Sequence, residues 1–177
     1  MSVQISRDFR WVYGVSMPVT MSKRIQGVIA ASGLFCASYV LPAYATGVKV
    51  YSSRCAACHK ADGAGVPGQF PRLKGRVGKI AATKDGRTYL IHVLLFGLFG
   101  PIDVDGRQVR GMMPPMGTLG DQDVADTLNF AVELEKPKKA VAPFTAAEVK
   151  AVRDAGRLTA SEVAKQRAEL AAKGLVH

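Results

Sequence analysis

The chain has 177 residues, 48% hydrophobic and 21% charged, which suits one globular domain or a small domain with extensions. Three cysteines exclude a disulfide scaffold. A net charge of +10 with a pI near 9.8 points to an anionic partner, whether nucleic acid, membrane or an acidic protein face.

The N-terminus reads as a leader. From Met21, "MSKRIQGVIAASGLFCASYVLPAYA" has a charged start at Lys23 and Arg24, an apolar run over 28–40, and Ala43-Tyr44-Ala45 as a small-residue cleavage site. Translation is expected to begin at Met21, with residues 21–45 as signal peptide and 1–20 upstream of it. A retained membrane anchor is the rival reading; the run is short for one, broken by Gly33 and closed by Pro42. Phe35 is too large to precede a lipoprotein cysteine, which leaves Cys36 without that role. Cleavage after Ala45 gives a basic, exported chain that retains Cys55 and Cys58.

Next, "TGVKVYSSRCAACH" reads as a helix with Gly47, Tyr51 and Cys55 on one face. "KADGAGVPGQFPRLKG" is a Gly- and Pro-rich loop. "DGRTYLIHVLLFGLFG" is a second helix, with Leu90, Val93, Leu94 and Phe96 inward and Gly97 as its stop. "PIDVDGRQVRGMMPPMGTLG" reads as another long loop. "DQDVADTLNFAVELEK" is a third helix whose Val124, Ala125, Leu128 and Val132 share a face; it starts at Gly120, where Ser or Thr would cap better by a few tenths of a kcal/mol. Long loops and short helices cannot bury much apolar surface alone, so a large flat cofactor is expected to fill the space.

After Lys136, "KPKKAVAP" forms a basic linker, and "FTAAEVKAVR" and "LTASEVAKQR" form a weak repeat. Thr145 with Glu148 and Thr159 with Glu162 read as capping boxes. Phe144 with Val149 and Leu158 with Val163 read as hydrophobic staples. Gly156 and Gly174 stand where helix C-caps belong. Two short helices follow, and capping accounts for both threonines without catalysis.

The chemistry lies in "CAACH", residues 55–59. C-x-x-C-H is the attachment pattern of c-type haem: two thiols one helical turn apart add to the vinyl groups, and the following histidine lies under the iron. Cys55 and Cys58 are the anchors and His59 the proximal ligand. A thioredoxin-like site would need a βαβ setting that the chain does not show. Zinc would need two more ligands, and only His92 and His177 remain downstream. A disulfide closing a two-residue loop is a poor staple.

The runs "GVKVYSSRCAACH", "PRLKG" and "MPPMG", followed by a short helix, resemble a monohaem class I c-type cytochrome over residues 46–136. The stretch "GLFGPIDVDGRQVRGMMPP" most resembles the subtype that accompanies periplasmic dehydrogenases. The resemblance implies an all-α cytochrome c fold, three to five short helices around one covalent haem c, here with a two-helix C-terminal extension over 137–177. It implies that the Pro71 carbonyl accepts from the His59 Nδ1–H, that Leu73 packs on the porphyrin, and that Gly47 and Tyr51 meet the last helix near Leu128 and Phe130. Phe130 stands where the family usually has Tyr. Met113, before Pro114, aligns with the distal iron ligand, with Met116 after it in order and Met112 last; plain packing is the alternative for each. His92 reads as a surface residue of its helix. Phe70, Leu73, Leu94 and Phe96 are expected to bury the haem.

With both axial positions filled, the implied role is one-electron transfer without bond chemistry. A periplasmic dehydrogenase would be the donor and a cytochrome or terminal oxidase the acceptor, with the chain either roaming or acting as a dedicated cytochrome subunit. A haem sensor or peroxidase-like enzyme with a labile sixth ligand is the alternative. Lys49, Arg54, Lys60, Arg72, Lys74, Arg76, Lys79 and Lys84 either ring the haem edge and steer an acidic partner or form a generally basic surface. Export and few aromatics in the basic segments argue against nucleic acid, and no permanent membrane span is expected.

Overall fold

The computed structural model describes residues 43–176, so the leader assignment falls almost wholly outside the described residues. Among those described, no helix is long and apolar enough to cross a membrane. The order is α1 (Ala43–Arg54), α2 (Ala56–His59), α3 (Val77–Ile80), α4 (Lys84–Phe96), β1 (Leu98–Val104), β2 (Arg107–Met113), α5 (Asp121–Glu133), α6 (Ala146–Asp154) and α7 (Ala160–Ala172).

The frame is the crossing of α1 and α5. Gly47 makes it possible: a Cβ there would collide with the Asp126 carbonyl and approach the Phe130 Cβ at 3.1 Å. One turn on, the buried Tyr51 ring lies 4.9 Å from the Phe130 ring, centre to centre, and its hydroxyl donates to the Lys60 carbonyl at 2.9 Å. The expected meeting of these helices is therefore present. The face of α5 given by Val124, Ala125, Leu128 and Val132 is buried as the periodicity requires. Gly120 is its extended N-cap without a side-chain bond.

The fold is mostly helical, but it is not all-α. The segment read as a loop after Gly97 is a two-stranded antiparallel hairpin, paired from Leu98↔Met113 to Val104↔Arg107. Its cause is local. Asp105 and Gly106 take φ of 52° and 73°, the two left-handed positions of a tight hairpin turn, with Val104 and Val109 buried on either side. The short α3 follows the Gly- and Pro-rich loop, and Val77 and Ile80 anchor it in the core.

Helix α4 is capped by Thr83, whose hydroxyl accepts from Gly86 N at 3.1 Å, and stops at Gly97 with φ 77°. Its burial is broader than one stripe. Leu90, Ile91 and Leu95 are buried, while Val93, Leu94 and Phe96 are half-buried. The reason is the tail: α6 and α7 pack on α4, so it is covered on more than one side.

Both tail helices begin where the threonines placed them. Thr159 and Glu162 complete a reciprocal capping box. Thr145 accepts from Glu148 N, but the Glu148 carboxylate turns instead to Arg87, which it meets at 2.6 and 2.7 Å, so the first box is only half formed. A charge-assisted, bidentate pair outcompetes a bond to one backbone N–H. At the end of α7, Gly174 N bonds to the Ala171 carbonyl and Leu175 N to the Leu170 carbonyl, a Schellman close. Phe144, Val149, Val163 and Leu170 join Ile91, Leu95 and Val124 in one core cluster. The tail thus packs on the rest of its own chain.

Candidate functional site

The "CAACH" residues follow α1 directly. Cys55 N bonds to the Tyr51 carbonyl and His59 N to the Cys55 carbonyl at 2.9 Å, so the motif winds as one short helical turn. Neither cysteine is in a disulfide. Burial, then Cys58, pushes the Cys55 thiol up to about 11, which keeps it protonated and makes it a poor thiol–disulfide nucleophile. Among the described residues no group of three or more His, Cys, Asp or Glu could hold a metal ion. The zinc reading thus has no support among the described residues, and His177 lies outside them.

His59 is buried, and its Nδ1 lies 2.8 Å from the Pro71 carbonyl oxygen. A carbonyl only accepts, so Nδ1 carries the proton and Nε2 keeps its lone pair. Burial holds the imidazole below the ordinary histidine value, with the Pro71 carbonyl pulling the other way. The ring is therefore neutral at pH 7, the form that can bind iron.

Cys55, Cys58, His59, Leu73, Met113 and Met116 open on one cavity of about 420 Å³. Pro71 is on its wall too, as is Phe70, which remains substantially exposed. On α4 the wall is Tyr89, Leu90 and Val93; Leu94 and Phe96, expected there, pack against the core instead. The cause is again the tail, which draws the far side of α4 into a second interface.

The methionines reach the cavity because the hairpin ends there. Met113 pairs with the buried Leu98 and is half-buried, whereas Met112 pairs with Phe99 and is 67% exposed. Gly97 lets the "MPP" segment pass: a Cβ there would stand 2.5 Å from the Met113 carbonyl and 3.0 Å from Pro115 N. Met116 N donates to the Leu94 carbonyl at 2.7 Å. From α6, Arg153 donates to the Gly117 and Leu119 carbonyls at 2.8 and 2.9 Å and pairs with Asp121 at 2.8 Å, bracing the loop from outside.

His92 takes no part. Its Nδ1 is 2.9 Å from Gln166 Oε1, at the packing of α4 on α7. Of the cations expected to ring the site, Arg72 and Arg76 are engaged with Asp105, and Arg76 is buried. Lys49, Arg54, Lys60, Lys79 and Lys84 are exposed. Sequence reasoning missed Arg167, buried on α7 and present on the cavity wall. Its only signal was an arginine at a core-facing helical position, three residues before Leu170 and four after Val163.

An apolar cavity with two cysteines one helical turn apart, one neutral imidazole presenting Nε2 and a thioether-bearing loop suits a covalently attached haem. Helices around such a cavity define a haem-binding electron-transfer protein. The family model for cytochrome c matches residues 44–135. Cytochrome c-552 of Thermus thermophilus is 43% identical over 134 residues, covering 74% of this chain and 89% of that protein. The gluconate 2-dehydrogenase cytochrome c subunit of Pantoea cypripedii is 41% identical over 86 residues, 48% of this chain and 19% of that one. The cytochrome c subunit of the quinone alcohol dehydrogenase of Gluconacetobacter polyoxogenes is 32% identical over 110 residues, 62% and 23% respectively. This chain thus spans about a fifth of either dehydrogenase subunit. It belongs to the cytochrome c family, and it carries covalent haem c as an electron carrier.

Proposed function

We propose that the chain is an exported one-electron carrier in which Cys55 and Cys58 hold the haem and His59 and Met113 are the axial ligands. It takes electrons from a periplasmic dehydrogenase and delivers them to a cytochrome or terminal oxidase. Haem c supplies the single-electron couple. The chain's own residues do the rest. Pro71 orients the imidazole, Leu73, Leu90 and Val93 exclude water, and the two prolines stiffen the methionine loop so that little entropy is lost in presenting a thioether. The observation that supports the ligand assignment is the hairpin register, which sets Met113 opposite the buried Leu98 and leaves Met112, though also on the cavity wall, 67% exposed. The dehydrogenase partner rests on the roles of the dehydrogenase-subunit relatives and on the exposed lysines that suit an acidic face.

The test is spectroscopic. The ferric protein is expected to show the weak red charge-transfer band of a methionine–iron bond and, when reduced, to resist carbon monoxide. Met113→Ala should abolish the band and admit carbon monoxide; Met116→Ala should do neither. The reverse pattern transfers the ligand to Met116. Absence of the band in the unaltered protein, with ready carbon monoxide binding, sinks the carrier reading in favour of a sensor or peroxidase-like site.

A further inference from the structure

Asp105 stands at the hairpin tip, 33 residues from Arg72 along the chain, and the two side chains form a fork. Arg72 Nε donates to one carboxylate oxygen at 2.8 Å and Nη2 to the other at 3.0 Å. Arg76 Nη1 adds a third bond at 3.0 Å. The turn itself does not need this carboxylate. With φ of 52° and 73° at Asp105 and Gly106, Asn-Gly would serve the same two left-handed positions as well. What aspartate adds over asparagine is a charged, two-pronged acceptor that matches a guanidinium. The paired side chains are 37% and 46% exposed, and ion pairs that open to water add little stability. The fork therefore fixes geometry more than it stabilises.

That geometry bears on His59. The Pro71 carbonyl facing His59 Nδ1 belongs to the planar peptide that joins Pro71 to Arg72. Rotating this peptide would turn the oxygen away from the imidazole, and its far end is the Arg72 Cα. Arg72 is held twice by its side chain, at the hairpin tip and through Nη1, which donates to the Lys74 carbonyl at 2.6 Å. Leu73 N and Lys74 N, donating to the Gly63 carbonyl at 2.8 and 3.0 Å, fix the residues that follow. The hairpin whose second strand ends at Met113 is thus tied at its tip to the residue that carries the His59 acceptor. We infer that Asp105, which does not itself line the haem cavity, is a positioning residue of the haem site: through Arg72 it holds the Pro71 carbonyl on the His59 imidazole and so sets the donor strength of that ligand. This rests on His59 binding the iron, as in the proposed function, and not on which methionine lies opposite.

The experiment takes two readouts on the full-length, haem-loaded protein: the midpoint potential, and the exchange of the His59 Nδ1–H with deuterated water, followed by NMR in the ferrous form. Asp105→Asn keeps the turn and loses the fork, and Arg72→Gln loses the fork from the other side. A weaker imidazole donor stabilises ferric iron less. Both variants should therefore move the ferric–ferrous balance about threefold toward ferrous, less than removal of the carbonyl itself would. Charge alone gives opposite signs: losing a carboxylate favours ferrous iron, and losing a guanidinium favours ferric. The Nδ1–H should exchange several-fold faster in both variants. Asp103→Asn, which removes the same charge from an exposed position on β1, should leave the rate unchanged. An Nδ1–H that exchanges at the parent rate in Asp105→Asn overturns the proposal, as do potentials that move in opposite directions in the two variants. If Arg72→Gln loads no haem, the exchange rate in Asp105→Asn decides. The methionine–iron band of the unaltered protein, recorded first, reports the distal ligand separately. Faster exchange without that band upholds this proposal and sinks the Met113 assignment; the band with unchanged exchange does the reverse.

Discussion

The His59 imidazole and the Pro71 carbonyl meet at 2.8 Å because Gly65 closes the turn between them. Gly65 N donates to the His59 carbonyl at 2.9 Å, and Gly65 takes φ 65°. A Cβ there would stand 2.5 Å from the Phe70 carbonyl oxygen and 2.7 Å from the Pro71 carbonyl. One small residue thus holds the acceptor in place for the imidazole.

Gly65→Ala should therefore displace the Pro71 carbonyl and weaken the imidazole as an iron donor. A weaker donor stabilises ferric iron less, so the midpoint potential should rise. The ferric–ferrous balance is expected to move by roughly tenfold, the lower end of what losing such a partner does to metal sites. Potentiometric titration checks this. Lower stability with an unchanged potential would show that the hydrogen bond orients the ring without tuning it.

What could be read from the sequence was what is local in it. "CAACH" and "PRLKG" lie twelve residues apart between His59 and Pro71, and their bond is where the resemblance put it. The α5 face and the threonine caps were legible because periodicity and capping are short-range rules. The hairpin was missed although its signal was present: Asp105-Gly106 stands between Val104 and Val109, and the surrounding Gly and Pro residues masked it. Arg167 could not have been found that way. It meets Asp103 across 64 residues, and no local pattern announces a contact made by a docked tail.

The tail also braces the methionine loop. Arg153 holds the Gly117 and Leu119 carbonyls and pairs with Asp121. Hydrogen bonds from a charged donor contribute about 1.5–3 kcal/mol each in favourable settings, and partial exposure reduces that here. Arg153→Ala is expected to cost on the order of 2 kcal/mol, mostly local to the loop. On heating, the methionine–iron band should disappear about 5 °C earlier than in the unaltered protein. Earlier loss of helix signal with no earlier loss of the band would place the effect in α6 alone.

Asp105 predicts an acid dependence. Hydrogen bonds from Arg72, and then Arg76, outweigh burial and hold its carboxyl at about 2, against an ordinary value of 3.8. A depressed carboxylate stabilises the fold above its unfolded pKa, and that contribution is lost as pH falls through the folded value. Asp105→Asn should therefore be less stable than the parent by a constant amount above about pH 5, and the difference should shrink toward zero near pH 2. The carboxylate is nearly half exposed, so the difference is expected to be modest. Denaturant melts of both proteins across this range measure it; a difference that does not change with pH would assign the effect to turn geometry.

Removing residues 140–177 separates a docking arm from a structural one. The truncation strips Phe144, Val149, Val163 and Leu170 from the core that contains Ile91 and Leu95. Each such side chain contributes about 1.5–3 kcal/mol by burial, before the entropy of ordering the tail is subtracted. It also takes Glu148 from Arg87, whose side chain is 15% exposed, and the Ala142 and Pro143 carbonyls from the same guanidinium. A partly buried cation left without its acceptors is destabilising beyond the apolar loss. The truncated chain is therefore expected to give little folded, haem-loaded protein. What survives should melt well below the parent, with the methionine–iron band lost first, because Arg153 goes with the tail. Association with a dehydrogenase should be tested separately, with exposed lysine variants in the full-length chain. A truncated protein that loads haem and melts like the parent would mean that α6 and α7 sit on the haem domain without supporting it. Such a tail would be free to exchange its own domain for a partner's surface.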